Sequence, residues 1–324
     1  MQTVALAGTD LTPSRLAFGS ASLMGRLGRR ESLRLLEAAH DTGITHFDTA
    51  RSYGYGDAES ALGDFLVRHR DGVTVTTKLG ISPPRRSSAL RAAKTAARLA
   101  SSRLPWARRV LGERARSLAR TGRFHPADAR SSLETSLREL RTDAVDILLL
   151  HECRPADLQW YGLLEFLEDA VREGKVRYFG LGTDPESTRR IIGERPEYTR
   201  VVQVAHSALS PTLERLGGLA DRGVITHSAV GPPLAKLTEL LADAGRRDRW
   251  SRALGLDCGR PATLARLLLA YALRSNSKGV VLFSSTSKER VRSNAALARG
   301  DGFSSDQIRL FARLAREAAT GEDR

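Results

Sequence analysis

Four side chains in the first half of the chain have the types needed to protonate an oxygen: Asp48, Tyr53, Lys78 and His151. Asp48 follows the pair His46-Phe47, Tyr53 lies five residues on, Lys78 closes Val73–Lys78, and His151 ends Ile147-Leu-Leu-Leu150. A phenol has a reference pKa of about 10, too high for an efficient proton donor at neutral pH. A nearby ammonium favours the phenolate and lowers that pKa, while a carboxylate keeps a buried ammonium charged and in place. A neutral imidazole can then hydrogen-bond a substrate oxygen and orient it. Lysine is scarce here, six residues against forty-five arginines, so a lysine on an apolar strand stands out. Arginine could not be tuned in the same way. Singly, each residue also has an ordinary structural reading as a turn or cap carboxylate, a loop-anchoring tyrosine or a core histidine.

The elements that must position these residues alternate along the chain. Strand-like runs are Leu16–Gly19, His46–Thr49, Val73–Lys78, Asp146–His151, Val176–Gly182, Val201–His206, Val224–Ser228 and Gly279–Ser284. Several are nearly all apolar, as expected of parallel strands covered on both faces. Amphipathic segments such as Arg29–Asp41, Ala127–Leu140, Leu158–Glu173 and Pro261–Ser275 separate them. The pattern predicts an α/β fold, a (β/α)8 TIM barrel in one domain over residues 1–324. An N-terminal β-hairpin about Gly8-Thr9-Asp10 closes its bottom, and extra C-terminal helices cover 232–258 and 302–320. The rival is a doubly wound dinucleotide fold, but Gly54-Tyr-Gly56 and Gly180-Leu-Gly182 both lack the third glycine of its fingerprint.

A chain of 324 residues buries about three quarters of its unfolded surface and needs neither metal nor disulfide to supply a core. With 41% hydrophobic and 27% charged residues it reads as globular rather than disordered. Two cysteines, Cys153 and Cys258, imply no disulfide framework, and Met1-Gln2-Thr3-Val4 opens no signal peptide. No apolar run reaches spanning length, so a cytoplasmic protein without a membrane partner is expected. The net charge is +14, yet residues 81–125 hold eleven Arg and one Lys against Glu113, which is +11 and leaves +3 elsewhere. The excess sits in a long basic insertion after the third strand, whose Trp106 and Phe124 form no base-stacking platform; no nucleic-acid partner is expected.

The stretch Asp48-Thr-Ala-Arg-Ser-Tyr53-Gly54-Tyr-Gly56-Asp-Ala-Glu59-Ser-Ala-Leu62-Gly63 resembles the signature of the aldo-keto reductase family. Further matches follow in order: Thr77-Lys78, Ser136-Leu-Arg-Glu-Leu140, Asp143, Asp146–His151, Gly174–Gly182 and Ser284–Asn294. The resemblance runs from about Leu16 to Asn294 and fails mainly in 81–125. It implies a (β/α)8 barrel whose tyrosine, lysine, aspartate and histidine are Tyr53, Lys78, Asp48 and His151. It further implies NADPH/NADP+ as cofactor and reduction of an aldehyde or ketone to an alcohol.

On the cofactor side the resemblance is mixed. The family's Ser-Asn pair that holds the nicotinamide carboxamide is here Thr183-Asp184, and a carboxylate accepts hydrogen bonds but cannot donate them. Asp184 could instead cap the helix beginning at Pro185. Gln203 matches a carboxamide-binding glutamine. His227, followed by Ser228, takes the place of a stacking aromatic. Resemblance assigns Ser285 and Arg290 to the 2′-phosphate of NADPH and Asn294 to adenine; the competing reading is an ordinary serine cap with surface arginines. Ser284 and Ser293 replace a Lys and a Glu of the family, which points to a weaker NADPH preference.

Residues 81–125 have three readings: a lid lining the pocket, a docking surface for an acidic partner, or a solvated flap. The expected partner is a small carbonyl compound, and the arginines of a lid would suit an acidic one. The rivals are a nicotinamide-binding regulatory or assembly subunit and an oxidative sugar or alcohol dehydrogenase of the same family. Oligomeric state is not legible in the sequence.

Overall fold

The computed structural model describes residues 1–25, 27–83, 121–300 and 302–320. Eight parallel strands close into a barrel in sequence order: β1 (Leu16–Gly19), β2 (His46–Asp48), β3 (Thr74–Leu79), β4 (Val145–His151), β5 (Val176–Gly182), β6 (Val201–Ala205), β7 (Gly223–His227) and β8 (Val280–Phe283). Closure is made by β8 on β1, with Leu16 opposite Val281 and Phe18 opposite Phe283. The expected strands are present within a residue or two at each end. The doubly wound alternative is excluded by the closed order.

Helices α1 (Arg29–Asp41), α2 (Ala58–His69), α3 (Pro126–Leu140), α4 (Leu163–Arg172), α5 (Pro185–Glu194) and the short α6 (Thr212–Arg215) alternate with β1 to β7. Outside that repeat lie α7 (Gly231–Leu240) and α8 (Ala244–Leu254), followed by α9 (Pro261–Ser275), α10 (Lys288–Ala298) and the terminal α11 (Ser305–Thr320). Prolines open α3, α5 and α9, where a missing N–H costs nothing. The helices of the repeat bury apolar stripes; in α1 the stripe is Leu35, Leu36, Ala38 and Ala39. No helix among the described residues is long and apolar enough to cross a membrane.

Two cores result from strand alternation. Leu148 and Leu150 point outward to the helices, while Ile147 and Leu149 point inward with Ala17, Val201, Ile225 and Val280. Leu6 and Leu11 join this inner cluster, so the N-terminal segment fills the barrel bottom as expected. It does so as a minimal hairpin, with Val4 N–H donating to Pro13, Leu6 N–H donating to Leu11, and one isolated antiparallel bridge, Thr3 to Ser14.

One boundary of the basic insertion needs correcting. Phe124 is fully buried, and Arg123 N–H donates to Gly80 O at 3.1 Å, so the chain has rejoined the barrel by then. Gly80 lacks the Cβ that would stand 2.4 Å from the Phe124 ring. The lid, docking and flap readings of 81–125 fall mainly on 84–120, which lie outside the described residues.

Gly180, part of the incomplete glycine fingerprint, lets two barrel strands approach. A Cβ there would stand 1.9 Å from Val201 O, because β5 and β6 come together at that point. Gly180→Ala is expected to lower stability by about 1–3 kcal/mol or more, as overpacking does. Urea denaturation checks this; a midpoint equal to the parent's would contradict the close approach.

Candidate active site

Strand alternation also assembles the site. His151 continues the inward series Ile147, Leu149; Asp48 shares a face with His46; Lys78 shares one with Thr76; Gln203 follows Val201 and His227 follows Ile225. All five therefore belong to the inward set at the C-terminal ends of their strands, where barrel enzymes place catalytic groups.

Asp48 and Lys78 form the centre. Both are 1% exposed, and Lys78 Nζ donates to Asp48 Oδ1 at 2.5 Å and to Thr49 O at 2.9 Å. Gln203 Nε2 donates to the other carboxylate oxygen at 2.7 Å. Burial pulls the ammonium pKa down, but Asp48, with help from Tyr53, more than offsets this and leaves it raised. An ammonium has three protons. Two are committed, and the third remains for the phenol of Tyr53, whose ring centroid lies 5.1 Å from Nζ.

The Tyr53 loop is built by contacts outside the barrel. Gly54 has φ 57, and a Cβ there would press within 2.7 Å of Met24 Cβ, so the loop packs tightly on the turn after β1. Glu59, buried at the start of α2, binds Arg51 Nη1 of this loop at 2.6 Å and accepts from Thr77 Oγ1 of β3 at 2.6 Å. It thus ties the loop carrying Tyr53 to the strand carrying Lys78. Sequence reasoning quoted Glu59 in a motif without giving it this role; an acid in the first turn of a helix beside the site was the available signal.

The expected drop in the Tyr53 pKa is not what the structure gives. Burial is the largest influence and raises it; Lys78 acts downward and Asp48 upward, and the net direction is up. His151 packs edge-on against Tyr53, with centroids 5.9 Å apart at 88°. Its pKa is pulled down to about 3 by burial, with Lys78 and His227 adding, so it is a neutral imidazole at pH 7. His227 is held down at about 4 by burial and Lys78, against Asp48, and its Nδ1 lies 2.8 Å from Ser228 Oγ.

Thr183 is buried and donates from Oγ1 to Cys153 O at 2.9 Å, at the ends of β4 and β5. Asp184 is the helix cap: its Oδ1 accepts from Glu186 N at 3.0 Å and Ser187 N at 2.9 Å, while Oδ2 faces Thr183 Oγ1 at 3.4 Å. Apart from this group, after β8, Arg290 folds over the start of α10. Its Nε donates to Ser285 Oγ at 3.4 Å and its Nη2 to Thr286 Oγ1 at 3.1 Å, and Ser287 caps the helix through Arg290 N. Asn294 lies one turn further along α10 and is half-buried. This donor set suits a dinucleotide: flat polar groups and a buried hydroxyl at the barrel mouth, and a guanidinium with hydroxyls at a helix N-terminus for a phosphate.

Fold and site together define a barrel whose strand ends gather a tyrosine and a histidine around a buried ion pair. Residues 15–316 match the profile described as "Aldo/keto reductase family", and the chain belongs to that family. It is 32% identical over 189 residues to a D-threo-aldose 1-dehydrogenase of a Pseudomonas species, a stretch covering 55% of this chain and 53% of that relative, so the match spans about half of that protein's length. It is 25% identical over 331 residues to an NADH-specific methylglyoxal reductase of Escherichia coli K12, covering 91% and 93%. In structure it resembles an aldo-keto reductase from Klebsiella pneumoniae in complex with NADPH, with a TM-score of 0.66 at 22% identity, covering 97% of this chain and 95% of that one.

Four buried or half-buried histidines have depressed pKa values: His46, His206 and His227 at about 4 and His151 at about 3. The unfolded chain binds these protons near pH 6.5 and the folded one does not, so stability is full above pH 6.5 and falls as pH drops toward 4. For the fully buried His46 the shift corresponds to about 3 kcal/mol. Melting temperature measured from pH 8 to 4.5 should fall steadily below about pH 6.5. A flat profile over that range would overturn the burial of these imidazoles.

Proposed function

We propose that the chain reduces an aldehyde or ketone to an alcohol with NADPH. The observation that carries this reading is the convergence of Tyr53, Lys78, Asp48 and His151 around one buried 2.5 Å ion pair. Thr183 and Gln203 hold the carboxamide, His227 and Ser228 flank the nicotinamide, Ser285 and Arg290 hold the 2′-phosphate, and Asn294 meets the adenine. Asp184 contributes by fixing the loop through its cap. When bound, the nicotinamide supplies the hydride.

The residues of the chain manage the oxygen. His151, neutral and edge-on to Tyr53, orients the carbonyl oxygen toward the phenol. Tyr53 keeps its proton at neutral pH because burial raises its pKa, and so it can donate. As that proton leaves, the Lys78 ammonium stabilises the developing phenolate, and Asp48 with Gln203 keeps the ammonium fixed. A raised phenol pKa and an adjacent cation are complementary: the first holds the acid form, the second favours its loss in the transition state.

The substrate is a small carbonyl compound, and the likeness to a D-threo-aldose 1-dehydrogenase makes sugars the first compounds to try, in the oxidative direction as well. The absence of a spanning helix among the described residues and the two free, buried cysteines support a cytoplasmic location. Arg290 supports NADPH, whereas one relative is named NADH-specific.

Tyr53→Phe is expected to retain cofactor binding, read by fluorescence titration, and to lose about 10²–10⁴ in kcat; turnover equal to the parent's would remove Tyr53 as the acid. In Arg290→Ala the Kd for NADPH should rise at least about tenfold more than that for NADH, the worth of a charge-assisted contact. Equal changes would remove the 2′-phosphate role.

A further inference from the structure

The residue after His151 is a glutamate in an unusual backbone state. Glu152 has φ 54, a left-handed conformation that a residue with a Cβ adopts at a cost and that glycine would adopt freely. Such strain at a barrel mouth is a sign of function when the surrounding contacts enforce it. Here they do: Glu152 N–H donates to Gly182 O at 2.9 Å, continuing the β4–β5 pairing in which His151 lies opposite Gly182, and the next residue, Cys153, is fully buried. The side chain is left at the exposed rim. Among the described residues its carboxylate has no hydrogen-bond donor and no cation. Asp184, also exposed, stands two residues beyond Gly182 on the neighbouring strand end, so two acids share this side of the mouth. The charges beneath them, Asp48 and Lys78, offset each other.

We infer that Glu152 selects substrates by charge, admitting neutral and cationic carbonyl compounds and disfavouring anionic ones. Glu152 directly follows the imidazole that orients the reacting oxygen, at the same strand end. Its charge already reaches the Tyr53 phenol, and Asp184 in turn acts on Glu152. An anionic substituent would add a third negative charge beside Glu152 and Asp184. This runs opposite to the acidic substrate that the arginines of 81–125 suggest. It rests on the reductase reading above.

The test uses three benzaldehydes with the same reacting group and different para substituents: hydroxymethyl, carboxylate and trimethylammonio. Glu152→Gln keeps the shape and removes the charge. The ratio of kcat/KM for the carboxylate to that for the hydroxymethyl compound should rise about tenfold or more in the variant, carried by KM, and the trimethylammonio ratio should fall. Both changes should shrink between about 0.01 M and about 0.5 M salt, which a purely steric effect would not do. Glu152→Gly should shift the ratios in the same way with a melting temperature no lower than the parent's, since glycine relieves the left-handed strain. A parent active on all three compounds whose ratios ignore both substitutions would overturn this inference alone. A lowered melting temperature in Glu152→Gly with unchanged ratios would assign the residue to holding the loop. A parent inactive on all three and on a panel of aldoses and ketones in both directions would overturn the reductase reading and this one with it.

Discussion

The rest of the site depends on one buried ion pair. A lysine and an aspartate, each 1% exposed, meet at 2.5 Å inside a barrel whose lower layers are leucine, isoleucine and valine. Taking two charges out of water costs several kcal/mol per ion unless every remaining donor and acceptor is matched. Thr49 O and Gln203 Nε2 supply that match. Gln203 comes from β6 and Asp48 from β2, strands that are not neighbours, so their contact requires a sheet closed on itself. The barrel therefore does more than display the loops: only its closure lets opposite strands satisfy one carboxylate. The ammonium so fixed adds to burial in holding both mouth histidines in their neutral forms and acts downward on the Tyr53 phenol against burial.

Backbone strain is distributed unevenly. Of the five described non-glycine residues with positive φ, Met24, Tyr55, Glu152 and Ser228 follow β1, β2, β4 and β7 at the catalytic face; Arg141 is the C-cap of α3 at the other end. Glu152 and Ser228 each come directly after a mouth histidine. A left-handed residue turns the chain sharply, so the imidazole stays aimed inward while the chain departs for the helix layer. The stability given up at these positions is supported by strands and helices whose own geometry is regular, which is the usual division of labour in this architecture.

Much of the site was legible because strands have a period of two. Once His151 is seen to follow Ile147 and Leu149 at even spacing, its inward direction is implied, and the same holds for Asp48, Lys78, Gln203 and His227. Glu59 and Glu152 were not legible in the same way. Glu59 acts through Arg51 and Thr77, partners brought from either side of it by the fold, and a sequence does not announce three-body contacts. The left-handed state of Glu152 has no composition cue, since glutamate gives no hint of positive φ. Phe124 was counted with the basic insertion because its neighbours are basic, yet its ring fills the space that Gly80 leaves open.

The order and kind of the elements were determined by the chain itself: apolar strand runs, amphipathic helices, prolines at helix starts and polar residues at strand ends are local properties, readable one segment at a time. The tertiary structure alone decided which polar groups share a proton or a charge. That Gln203 braces Asp48 and that the Tyr53 pKa rises where an adjacent ammonium alone would lower it are both results of distance and burial. Distance and burial arise when segments far apart in sequence are packed together, and no single segment carries them.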